Sequence, residues 1–154
     1  MNRGIVSVVL LALSAGAYCQ ETSLVGACLG KPRAAYAKAF GDPSTWKKKT
    51  SQGEVTVGEY KTGSAKIEAI QTKASKIPDV VNLYFYQEPK RDWKLALKDS
   101  GLSTAGVVAK EDSKHRIHLS RIKTKSAIIV EAIYIPMSAQ NPDGPELDLK
   151  LKRK

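Results

Sequence analysis

Period-two patterning constrains this chain most. Glu54 to Lys61 and Ala65 to Ile70 each alternate apolar with polar residues, and Thr62-Gly63-Ser64 between them is a hairpin turn. A strand before them spans Trp46 to Ser51 and turns at Gln52-Gly53. Val80 to Tyr86 is rich in β-branched and aromatic residues, as strands prefer. Gly106 to Ala109, His115 to Lys123 and Ala127 to Ile135 complete about seven strands joined by short turns. Short turns between consecutive strands mean antiparallel meanders, because parallel pairing needs long crossovers. Ala127 to Ile135 is apolar on both faces, which predicts a strand covered on both sides, or covered on one and partnered on the other.

Two segments break the pattern as helices. Lys31 to Gly41 has Pro32 in its first turn, alanines in its middle and Gly41 before Pro43 as a stop. Leu29, Tyr36 and Phe40 fall on one side of it. Glu88 to Gly101 repeats the device, starting at Pro89 and burying Trp93, Ala96 and Leu97. The expected fold is therefore α+β: a mainly antiparallel sheet with two short helices packed on one face, in an order that hints at two αβββ halves.

The ends set the compartment. Arg3, an apolar run from Ile5 to Leu13 and the small residues Ser14-Ala15-Gly16-Ala17 have the layout of a secretory signal peptide. The run is about half the roughly twenty residues that a bilayer crossing needs. The expected organisation is signal peptide 1–17, lead-in 18–30, α+β domain 31–136, then 137–154 as a linker with a basic tail or edge strand. Cleavage after Ala17 leaves Cys19 and Cys28 free to form a disulfide in an oxidising compartment. Cleavage after Cys19 leaves Cys28 alone, and Val25-Gly26-Ala27-Cys28 has the letters of a lipoprotein box. Localisation follows as periplasmic or extracellular, with lipid anchoring at Cys28 the lesser reading.

Charge bears on partners. The 154 residues hold 25 Lys and Arg against 15 Asp and Glu, a formal net charge of +10. Such a balance favours anionic polymers or lipid head groups, or a protein partner, and its bland counterpart is a solvated surface. No helix-turn-helix, zinc-ligand spacing or RNA-binding aromatic signature accompanies it, so specific nucleic-acid reading is not expected. Tyr84 and Tyr86 share one strand face beside Lys90 and Arg91, and Arg116, Arg121 and Lys123 lie in the densest basic stretch. These seven residues are the candidate binding set; the ordinary role for such tyrosines is to rim a packed helix.

Leu29-Gly30-Lys31-Pro32-Arg33 through Phe40-Gly41-Asp42-Pro43 resembles the helix and turn that open small bacterial envelope domains of the outer-membrane assembly lipoprotein and β-lactamase-inhibitor-protein type. The resemblance covers about fifteen residues and a topology, and implies a non-catalytic binding scaffold. No catalytic residue, metal or cofactor is expected. The alternative is a small secreted hydrolase with a site near His115 or His118, helped by Glu111 or Asp112. On a strand, their odd spacing sends the two imidazoles to opposite faces.

Overall fold

A computed structural model describes residues 25–51, 53–86, 90–125 and 127–153. Residues 1–24 lie outside that description, so the signal peptide and Cys19, with any disulfide to it, do too. Helices α1 (Val25–Cys28) and α2 (Arg33–Phe40) precede β1 (Ser44–Thr50), β2 (Gly53–Lys61), β3 (Ala65–Thr72) and β4 (Val80–Phe85). Helix α3 (Trp93–Asp99) precedes β5 (Val108–Glu111), β6 (Ile117–Ser120), β7 (Ala127–Ile135) and β8 (Glu146–Arg153). All eight described strands form one antiparallel sheet in the order β1-β2-β3-β4-β8-β7-β6-β5.

On either side of the β4–β8 seam lies a four-strand meander, preceded by α1 and α2 in one half and by α3 in the other. The halves are thus ααββββ and αββββ, with eight described strands where about seven are expected. The missing strand was in the C-terminal segment. That segment is neither tail nor edge: β8 pairs β4 on one side and β7 on the other. The alternation of Leu147, Leu149 and Leu151 with charge decides this, since all three leucines are buried and a central strand half covered by helices needs that pattern.

One core lies between the helices and the sheet. Val25 of α1, Leu29 in the turn after it, Tyr36 of α2 and Ala96 and Leu97 from α3 meet Ile67, Val81, Leu83, Phe85, Tyr134, Leu147 and Leu149. Residues 25–30 are therefore part of the packed domain, not merely a lead-in. Gly26 shows why a glycine is needed there: its N–H donates to the Ser100 carbonyl at 2.8 Å, and a Cβ would stand 2.5 Å from the Gly101 carbonyl oxygen.

Helix α2 forms where expected, with Pro32 as N-cap and Gly41 ending it at φ +88°. Helix α3 starts at Trp93, and the expected start at Pro89 lies outside the described residues. Asp92 caps it, its side chain accepting from the Leu95 N–H at 2.8 Å, a better start signal than the proline. β7 is covered on one face only. Ala132 and Tyr134 are buried, whereas Ile128 and Val130 remain 45% and 52% exposed. A register shift between Ile129 and Glu131 marks a bulge there.

Candidate functional site

No helix covers the second face of the sheet among the described residues. Cross-strand pairing lays a row across it: Ser44, Glu59, Glu68, Asn82, Asp148, Ile133, His118 and Lys110. The next row runs Lys61, Lys66, Tyr84, Glu146 and Ile135. The middle of this face is acidic and polar, although the chain as a whole is basic.

Its centre is a knot of like charges. Burial first, then the neighbouring Glu146 carboxyl and the charges of Glu68 and Glu131, push the Asp148 carboxyl up to about 8. Asp148 Oδ1 and its cross-strand neighbour Asn82 Oδ1 are buried without hydrogen-bond partners. Lys66 supplies the compensating charge. Its Nζ lies 2.9 Å from Glu68 Oε1 and 3.9 Å from Glu59 Oε2, and it stands 4.1 Å over the Tyr84 ring. The Tyr84 hydroxyl donates to Glu68 Oε2 at 3.4 Å, and burial raises its pKa well above the ordinary phenol value.

Beside this knot a groove of about 710 Å³ is lined by Glu59, Lys61, Lys66, Tyr84, Tyr86 and the loop residues Asn141, Pro142 and Asp143. Tyr84 and Tyr86 thus share one depression, with Val81, Leu83 and Phe85 turned to the core. Their expected companions point elsewhere. Arg91 is ion-paired to Asp99 on α3, its guanidinium lies 4.3 Å over the Phe85 ring, and its carbonyl accepts from Tyr134. It is part of the packing under the sheet. Lys90 is exposed and does not line the groove.

The other basic candidates are dispersed. Arg116 Nη2 pairs with Asp112 Oδ2 at 2.7 Å and borders a depression beside Pro136 and Asn141. Arg121 is exposed at φ +63° just past β6. Lys123 borders a separate depression with Gly26, Gly101 and Leu102. No single platform joins them.

The two histidines belong to one hairpin. His115 falls in the β5–β6 turn at φ +58° instead of on a strand, and its Nδ1 lies 2.7 Å from Glu111 Oε1. His118 Nε2 lies 3.0 Å from Asp112 Oδ2. Asp112 also accepts from the backbone N–H of Lys114 and Arg116. The His118 contact, then the Arg116 bonds, hold its carboxyl well below the usual carboxylate range. Each imidazole is thus engaged by a different carboxylate, and Asp112 organises the turn. Among the described residues no cluster of three His, Cys, Asp or Glu side chains suits a metal ion.

Cys28 is buried; its thiol donates to the Ala35 carbonyl at 3.7 Å, and desolvation raises its pKa. Among the described residues no helix is long and apolar enough to cross a membrane. The acidic knot escaped sequence reading because Glu59, Glu68, Glu146 and Asp148 come from three strands up to about ninety positions apart. The one signal for it was that each belongs to the polar phase of an alternating run. No protein-family model matches the chain, and no curated protein or solved structure matches it either.

Proposed function

We propose that the mature chain is an exported, non-catalytic binding module that meets a protein partner through the helix-free face of its sheet. The observation that carries this reading is the groove beside Tyr84, Tyr86, Lys61 and Lys66 on a face no helix covers. Tyrosines offer large contact area and a hydrogen-bonding tip at low entropic cost. The groove favours a protein over a plain polyanion. Lys66 is already neutralised by Glu59 and Glu68, and Asp143 adds a further acid.

Export rests on the first seventeen residues. The packing of Val25 and Gly26 supports processing upstream of them, since a lipoprotein cut before Cys28 would remove both from the core. The hydrolase alternative has less support, because carboxylates in the same hairpin engage both histidines.

The test immobilises the chain from Tyr18 onward, captures partners from its own envelope or culture extract, and measures affinity for the identified protein by calorimetry. Tyr86→Ala with Lys61→Glu, both at exposed positions, is expected to weaken binding about tenfold or more, as expected for groove contacts. His115→Ala with His118→Ala is expected to leave affinity unchanged. Histidine-dependent turnover of a captured molecule would replace this reading with the hydrolase. Mass spectrometry of the secreted chain gives its N-terminus and any lipid.

A further inference from the structure

We infer that β1 is a docking edge for an extended acidic segment of a protein partner, which adds to the sheet as a ninth strand. This site is separate from the groove and goes beyond it. β1 pairs with β2 through all seven of its residues without a register slip, and every one of the seven is exposed. Alternate residues of such an edge turn their N–H and C=O groups away from the sheet, where they can pair with another strand. The opposite edge, β5, is only four residues long. The edge that can template a partner is therefore β1.

Its side chains select the partner. Lys47 is bonded to Glu54 at 2.9 Å, while Lys48 and Lys49 have no ion pair among the described residues. Arg33 adds a cation from α2. Its Nη2 donates to Thr45 Oγ1 at 3.1 Å, its Nε is buried without a partner, and it reaches β1 by crossing Gly58, where a Cβ would stand 3.2 Å from Nε. Thr45, Lys47 and Lys49 share the helix side of the strand, and Trp46 and Lys48 share the bare side. A second copy pairing antiparallel here would set lysine against lysine, which is destabilising. An acidic strand meets the reverse: carboxylates opposite Lys47 and Lys49, and an apolar residue against the partly exposed Trp46. The lysines that forbid self-pairing thus admit an acidic guest.

The experiment titrates the mature chain into a labelled short peptide of alternating glutamate and valine, read by fluorescence anisotropy and by amide hydrogen exchange. Saturable binding, slowed exchange at alternate β1 amides and silence from the matching lysine–valine peptide are expected. Lys48→Glu with Lys49→Glu is expected to cost about tenfold or more in affinity, and the milder Lys48→Gln with Lys49→Gln less. Tyr86→Ala with Lys61→Glu is expected to bind the peptide normally, which separates this edge from the groove. Failure to bind overturns the inference. So does binding without β1 protection, or protection of β1 by heparin alone, either of which makes the edge a general polyanion patch. Sedimentation showing a dimer whose β1 amides are protected overturns it in favour of a second copy.

Discussion

The two faces of β4 and β8 are built from the same strands yet obey different rules. Towards the helices, Val81, Leu83 and Phe85 meet Leu147, Leu149 and Leu151, all buried. Towards the bare side, Asn82 and Tyr84 meet Asp148 and Glu146 in adjacent cross-strand pairs. Burying leucine needs only volume and the absence of water, so the first face is forgiving in detail and large in energy. Gathering carboxylates beside one lysine works against stability. The second face therefore gives up some stability for a shaped polar surface.

The sharpest way to break this contrast is to remove the strand that carries both faces. A chain ending before Glu146 is expected to lose cooperative unfolding altogether, because β8 joins the two halves; retained two-state melting would contradict a central β8. Leu149→Ala is expected to cost about 2–5 kcal/mol in urea denaturation, as for other fully buried leucines. Its bare-face neighbour Lys150→Ala should stay within about 0.5 kcal/mol, since the Lys150–Glu131 pair is exposed at 4.0 Å.

Between these extremes lies pH. Asp148 is raised, so the folded chain holds a proton that the unfolded chain has released between the free value of 3.8 and about 8. The stability carried by its neutral form is complete below 3.8 and is lost as pH rises towards 8. Wild type should therefore be less stable at about pH 8.5 than at about pH 5, by roughly 1–3 kcal/mol with solvent reaching the cluster. Asp148→Asn should flatten that slope; an unchanged slope in the variant would remove Asp148 from the account. Asp112, which is lowered, acts in the opposite sense, and its contribution is lost as pH falls below the usual carboxylate range. Smaller again, Asp92→Ala should cost about 1 kcal/mol through the lost α3 cap.

Much of the scaffold was legible because it rests on local rules. Ala127–Ile135 and the hairpin around Thr62-Gly63-Ser64 follow directly from alternation and turn chemistry. The C-terminal leucine alternation was visible as well and favoured a strand, while its terminal position favoured fraying. Only its partners, Val81 and Leu83 on β4 and Ala132 and Tyr134 on β7, reveal it as the seam. Residues 25–30 were missed because one helical turn carries too few residues for periodicity. The pairing of Tyr84 with Tyr86 was readable from parity. Their separation from Arg91 was not, since Asp99 at the end of α3 draws the guanidinium under the sheet.

The helix side builds the domain, and the proposed binding surfaces are the bare-side groove and the β1 edge. Both are tested most directly by a hydrogen-exchange and cross-linking footprint of the mature chain with the protein it captures from its own extract. Protection is expected around Lys61, Lys66, Tyr84 and Tyr86, along β1 and at Arg33, with the surface of α3 unchanged. A footprint confined to the helices, or to the hairpin from Glu111 to His118, would contradict both.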